Sequence, residues 1–487
     1  MEIFGTTLSM GSFALLLLCL AIALGFEFVN GFHDTANAVA TVIYTKSLKP
    51  GVAVVWSGIM NFLGVFSGTI LGGAAVAFGI VHLLPVDLLI SVGQSAGLLM
   101  VMSLLLSAII WNLGTWYFGL PSSSSHALIG SILGVGVASS LYTGHGFGSG
   151  VNWGQAQKIG LSLFLSPMIG FGLSALLLLL SRKLIKDQRL YEEPKGDAPP
   201  PPWIRAVLFL TCTGVSFSHG SNDGQKGVGL IMLILIGLLP TQFAINSTLN
   251  STQLQETTVA VRRLEAKIAS SDPATAQTLG QIAETLAASR SISSLSDQGR
   301  NELRSMIIHA DSTLSKFEKS ADAFATSEEK AAFKKDRSSM SRLTDFVAPW
   351  VPLAVALALG IGTMVGWKRI VVTVGEKIGK THLTYGQGAA AELVAAGTIY
   401  AADHYGLPVS TTQVLSSGVA GTMAANRSGL QFATVRNIAL AWVLTLPVTM
   451  LLAGTLFMLT AGSMLKKQPQ PTVPVIQPRV ERTQPLR

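Results

Sequence analysis

Apolar residues fill most of this chain in runs of 18 or more, separated by short polar segments. About 20 such residues let an α-helix cross a hydrocarbon core of about 30 Å. The pattern predicts five spanning units in the first half, roughly at 12–45, 51–82, 88–117, 122–141 and 157–182. It predicts five more at 204–240, 346–366, 385–403, 410–425 and 434–462. Re-entrant hairpins at the Ser-rich segments would raise the count from 10 to 12. The expected fold is an all-α multi-pass membrane protein. The unit at 51–82 would be about 48 Å long as one helix, so it must tilt, break at Gly72-Gly73 or emerge.

Two motifs occur twice along this pattern. Gly119-Leu120-Pro121-Ser122-Ser123-Ser124-Ser125-His126 returns as Gly406-Leu407-Pro408-Val409-Ser410-Thr411-Thr412-Gln413. Asn30-Gly31-Phe32-His33-Asp34 returns more loosely as His219-Gly220-Ser221-Asn222-Asp223. Five spans per half is odd, so the second half enters the membrane from the opposite side and the halves form an inverted repeat. Asp34 and Asp223 are 189 residues apart, whereas Ser123 and Ser410 are 287 apart. The second half is therefore longer by 98 residues between its motifs, and the polar segment 241–345 is about that size. Its 13 Lys/Arg balance 13 Asp/Glu, and the spacing of Leu254, Val261, Leu264 and Ile268 predicts helices. The resulting divisions are a first repeat at 1–182, a linker at 183–203 and the start of a second repeat at 204–240. The insertion at 241–345, the rest of the second repeat at 346–465 and a tail at 466–487 follow. The linker, ending in Pro199–Pro202, reads as extended, and the Pro-rich tail as disordered.

Composition agrees with a membrane chain. Charged residues make up 12% and mean hydropathy is +0.50. The run from Ser12 to Val29 has no basic residue before it and contains Glu27, unlike a cleaved signal peptide. Cys19 and Cys212 both lie in apolar segments, which argues against a disulfide framework. The net charge of +8 reads as orientation rather than nucleic-acid binding. Lys46, Lys49, Arg182, Lys183, Lys368, Arg369, Lys377 and Arg427 would all face the cytoplasm if the N-terminus is outside. The opposite loops near 83–87 and 142–156 contain no Lys or Arg. Lys466 and Lys467 count the other way. The same orientation puts the insertion outside, on the face away from the cytoplasm.

Asp34 and Asp223 carry the first chemistry. An ionised carboxylate at membrane depth must face protein, a cavity or a cation. Gly31 and Gly220 permit a helix break beside each aspartate, which would expose N–H groups to an anion and C=O groups to a cation. Asn37 and Lys226 each lie three residues beyond their aspartate, on its face. Lys226 either balances an anion's charge or only neutralises Asp223. Ser122, Ser123, Ser124 and Ser125, like Ser410, Thr411 and Thr412, follow Gly-Leu-Pro. Proline suits a first helical turn, where hydroxyls and free N–H groups cradle an anion without net positive charge. His33 and His126 are candidate protonation sites. Glu27 and Glu392 are weaker ones, and Asn61 and Asn112 read as helix-packing polar groups. With no Walker loop, Rossmann fingerprint, zinc motif or Gly-x-Ser-x-Gly elbow, an enzyme or ATP-driven pump is disfavoured, and no cofactor is expected.

The segments 31–41 and 218–227, the hydroxyl motifs at 121–126 and 408–413, and Trp111–Tyr117 resemble the signatures of the inorganic phosphate transporter (Pit) family. The likeness covers roughly 12–240 and 346–462 and is strongest to the bacterial low-affinity permeases. It implies symport of inorganic phosphate across the cell membrane, the inner membrane of a bacterium. Protons are the implied coupling ion in bacterial members and sodium in other branches, and carriage of divalent metal as a neutral metal–phosphate complex is implied as well. By motif match, Asp34 and Asp223 would hold the coupling ion. The same match makes Asn37, Ser123, Ser124, Ser410, Thr411 and Thr412 candidates to hold phosphate, and the neighbouring Ser125 and Asn222 are added to that set. Close relatives end the second hydroxyl motif in His, whereas this chain has Gln413, which counts against two symmetric histidines. Sulfate symport on the same fold and a non-transporting receptor are the rival readings. A homo-oligomer is compatible with the sequence.

Overall fold

The computed structural model describes residues 2–3, 6–7, 9–84, 94–144, 146–243, 245–320 and 323–464. Beyond a short ladder pairing Glu2–Ile3 with Thr6–Thr7 and an isolated bridge between Gly379 and Leu430, the regular elements among the described residues are helices. The first half comprises α1 (Met10–Asp34), α2 (Ala36–Tyr44), α3 (Pro50–Phe66), α4 (Ala75–Val81), α5 (Gln94–Tyr117), α6 (Ser124–Tyr142) and α7 (Trp153–Leu184). The second half opens with α8 (Pro202–Leu238) and a single turn, α9 (Pro240–Phe243). The insertion then forms α10 (Ser251–Ile268), α11 (Pro273–Ala288), α12 (Asp297–Lys319) and α13 (Ser327–Ser341). Finally come α14 (Trp350–Thr363), α15 (Lys368–Glu376), α16 (Tyr385–His404), α17 (Thr411–Ala425) and α18 (Phe432–Met464). The expectations for the tail at 466–487 fall outside the described residues.

Among the described residues, six spans are individually long and apolar enough to cross a membrane, and the bent pair α14–α15 makes a seventh. This is three fewer than the ten units expected from sequence, and α16, with Gln387 and Glu392 buried in it, is one of the three. α17 has 15 residues and reaches about 22 Å, short of a hydrocarbon core. α8 carries Asp223, Lys226 and His219, all buried by neighbouring helices.

The first Asp motif ends a helix with only a slight interruption, the second lies inside one, and the sharper breaks are elsewhere. Only Thr35, itself in helical conformation, separates α1 from α2. α8 runs unbroken through Gly220 and Asp223. The long unit after Pro50 breaks near Gly72-Gly73, where a π-helical turn at Ser67–Leu71 precedes left-handed Gly73 (φ 76°) and Ala74 (φ 55°). α14 and α15 bend by 64°.

The glycines of the Asp motifs serve close packing instead. A Cβ on Gly31 would collide with the Leu359 carbonyl of α14, and one on Gly220 with the Asn61 carbonyl of α3. The contacts are returned: Gly362 of α14 lies on Phe28, and Gly64 of α3 on Phe217 of α8. The same exchange recurs at the helices of the hydroxyl motifs. Gly134 of α6 lies on the Met450 carbonyl of α18, and Gly421 of α17 on the Phe171 carbonyl of α7. Each half thus packs its helices against the other half in matching pairs.

Two buried apolar clusters fill this body. One joins α1, α4, α5, α6 and the C-terminal part of α8; the other joins α2, the N-terminal part of α8 and α15–α17. The linker contains one 3-10 turn, Gln188–Tyr191, and is not wholly extended, because Leu190 is buried beside Gly386. The Arg189 guanidinium draws the Asp187 carboxyl down to about 2. The insertion has its own core, including Leu254, Val261, Leu264 and Ile268. Arg263 clamps Asp336 at 2.8 and 2.6 Å, and the Asn246 N–H donates to the Leu343 carbonyl at 2.8 Å, so its ends lie together.

Candidate anion and cation site

The two Asp segments meet the first turns of α6 and α17 in one buried junction. α6 begins because Ser123 caps it, accepting from the His126 N–H at 3.1 Å. Ser410 caps α17 in the same way, accepting from the Gln413 N–H at 3.2 Å. The first N–H groups of any helix have no partner inside it, so Ser124, Ser125, Thr411 and Thr412 present backbone donors here. The hydroxyls of Ser124 and Thr411 add to these, and that of Ser124 has no partner, whereas Ser125 donates to the Val409 carbonyl at 2.9 Å and Thr412 donates to Asp34. Two such helix starts make an anion-binding surface.

The halves lock across this junction in a reciprocal way. The Asn37 amide donates to Thr412 at 2.8 Å and to Thr411 at 3.3 Å. Lys226, at the matching position, donates to Ser125 at 2.6 Å. Lys226 also pairs with Asp223 at 2.7 Å and donates to the Val409 carbonyl at 3.1 Å. These contacts use all its N–H groups, so its geometry is that of an ion pair and a strut between α8 and the second hydroxyl loop.

Asp34 accepts from Thr412 at 3.0 Å and pairs with His33 at 2.8 Å. The other ring nitrogen of His33 meets Thr115 at 3.1 Å. His219, not singled out from sequence, stands between the aspartates. Its Nε2 lies 3.7 Å from Asp34 and 3.6 Å from Asp223, while Nδ1 meets Asn61 at 2.7 Å. Ligand atoms of Asp34, His219 and Asp223 all lie within 4.8 Å of one another, compact enough for one small cation. Asp223 keeps one oxygen unpartnered, as does the His219 Nε2. Asn61, expected only as packing polarity, orients His219. The available signal was the spacing of His219 and Asp223, four residues apart on one helical face.

Other candidates lie around this centre. Asn222 turns to the backbone of the second hydroxyl loop rather than toward the anion surface, donating to the Leu407 carbonyl at 3.1 Å. Beside it, Asp403 accepts from Ser221 at 2.5 Å and Gln225 at 2.6 Å. His126 bonds its own cap, Ser123, at 2.7 Å, and its counterpart Gln413 leaves its side-chain oxygen unpartnered. Glu392 accepts from Thr41 and Thr211. Glu27 lies over Gly227 with both oxygens unpartnered.

The sequence matches the phosphate transporter family over residues 30–453. It is 43% identical to the Escherichia coli (strain K12) low-affinity inorganic phosphate transporters PitB and PitA, covering 91% and 92% of this chain and 96% of each relative. A probable low-affinity inorganic phosphate transporter of Bacillus subtilis is 29% identical, over 89% of this chain and 94% of the relative. Among solved structures, a sodium-dependent phosphate transporter superposes with a TM-score of 0.54 at 19% identity, covering 93% of this chain and 100% of that one. At that identity the likeness speaks for the fold alone.

Proposed function

The chain belongs to the phosphate transporter family, and from that premise we propose that it imports inorganic phosphate by symport with protons. The observation that carries this reading is the reciprocal junction in which Asn37 reaches Thr412 and Lys226 reaches Ser125, beside Asp34, His219 and Asp223. Phosphate would take the N–H groups and hydroxyls of Ser123–Ser125 and Ser410–Thr412 and the Asn37 amide, with Ser125, Thr412 and Asn37 exchanging their present partners for it. The coupling ion would take Asp34 and Asp223. Unit charges about 4 Å apart repel by about 4 kcal/mol at an effective dielectric constant of about 20. A cation or proton on the carboxylates removes that repulsion, so each ligand favours the other. Phosphate carried as a neutral metal complex would relieve the same repulsion.

The matched packing of the halves supports an inverted repeat whose two Asp segments would be approached from opposite sides. One observation favours a second reading, sodium as the coupling ion. The Asp34–His219–Asp223 cluster offers a small cation three convergent ligands without a proton-transfer step. Asp34→Asn and Asp223→Asn in reconstituted protein should each abolish ion-driven phosphate accumulation. The coupling role is wrong if both variants still accumulate phosphate as wild type does. Unlabelled sulfate should compete poorly with labelled phosphate; equal competition would move the substrate assignment to sulfate.

A further inference from the structure

A second basic site lies away from the junction, where α5 ends against the bend between α14 and α15. Lys368, Arg369 and Lys377 share with Trp116, Tyr117 and Phe118 an open cleft of about 640 Å³, and no carboxylate lines it among the described residues. The cleft is built rather than incidental. The Trp116 indole donates to the Gly366 carbonyl at 2.7 Å, and Thr373 donates to the Gly119 carbonyl at 2.7 Å. Arg369 donates to the Tyr117 carbonyl at 2.8 Å and stacks over both rings, 5.0 Å from Trp116 and 4.9 Å from Tyr117. Left-handed Gly119 and Gly366 let the two backbones turn at this point.

The geometry points to a binding site for the phosphodiester headgroup of an anionic phospholipid. Three cations without a lining carboxylate call for an anion. Tyr117 and Phe118 are 61% and 75% exposed at the end of an apolar 24-residue helix, where aromatic side chains meet the membrane interface. A free anion needs no such apolar flank, whereas acyl chains do. The basic residues also put this end on the cytoplasmic side, where interhelical basic pockets hold anionic headgroups.

The site bears on transport through packing. Trp116 stacks edge-on with Phe32, 5.2 Å away, next to His33 and Asp34. Thr115 meets His33, and Gly119 leads directly into Ser122–Ser125. A bound headgroup would therefore hold in register the two segments that carry Asp34 and the first hydroxyl cluster.

The test is native mass spectrometry of the purified full chain with phosphatidylglycerol or phosphatidylcholine, in wild type and in the double variant Lys368→Gln/Lys377→Gln. Wild type should retain phosphatidylglycerol in preference to phosphatidylcholine. The double variant should lose about 30-fold in that affinity, at about 1 kcal/mol per cation near the surface. Millimolar inorganic phosphate should not displace the lipid. Equal retention of both lipids, or undiminished binding by a double variant that keeps wild-type helicity, overturns the proposal. Displacement by phosphate also overturns it and makes the cleft a free-phosphate site. Phosphate exchange in vesicles should be faster with phosphatidylglycerol than without it, and the double variant should lose that difference. Lipid binding is read without transport, so its failure is separate from failure of the transport reading.

Discussion

At the scale of single residues, the junction is held by contacts across the halves, such as Asn37 with Thr412, and by an ion pair within one helix. Lys226 and Asp223 are both buried, and such a pair is tolerated because each charge answers the other and the remaining N–H groups find Ser125 and Val409. Lys226→Met should therefore cost about 3–5 kcal/mol, since it strands a buried carboxylate. The double variant Lys226→Met/Asp223→Asn should recover much of that. Thermal unfolding in detergent measures both, and a single variant as stable as wild type would show the pair to be unimportant. His219 is a different case. His219→Gln keeps a donor toward Asn61 but withdraws imidazole from between the aspartates, and should weaken coupling-ion affinity by about tenfold or more. Ion dependence of uptake measures it, and an unchanged dependence would remove His219 from the site. Most of the polar residues of the junction were visible in the sequence because the motif repeats. The role of His219 was not, because it depends on Asp34, which arrives from another helix 185 residues away.

At the scale of elements, helix positions follow from apolar run length and caps, and these are local. Thr384 and Gln387 form a reciprocal capping box that starts α16, and Asn250 and Gln253 do the same for α10. What the glycines do is not local. Gly31 and Gly220 read equally well as helix breakers or as packing surfaces, and only the arrival of Leu359 and Asn61 decides for packing. The break at Gly72-Gly73 was legible because the unit was too long for one span. Close approach makes a clear expectation. Gly134→Leu and Gly421→Leu drive a side chain into the Met450 and Phe171 carbonyls and should each destabilise by about 3 kcal/mol or more. Matching positions should give matching losses of folded protein on size-exclusion chromatography. Tolerance of leucine at either would mean that those helices do not approach so closely.

At the scale of the whole molecule, the two halves are interleaved, and the insertion stands apart with its own core. Its ends are clasped by Asn246 and Leu343, so replacing 247–342 with a short Gly-Ser linker should leave membrane helices that fold and exchange phosphate. Loss of folding would show that the insertion holds the second half together. The unequal motif spacing made the insertion legible in the sequence, but its docking was not, because that depends on contacts such as His82 with Asp345. The central claim concerns the whole: a buried pair of aspartates couples an ion to an oxyanion held by two helix starts. Labelled phosphate uptake into liposomes containing the purified chain, with proton and sodium gradients imposed separately, tests it most directly. An inward proton gradient without sodium should drive phosphate above equilibrium. Phosphate that moves only down its own gradient under either ion would contradict coupling altogether.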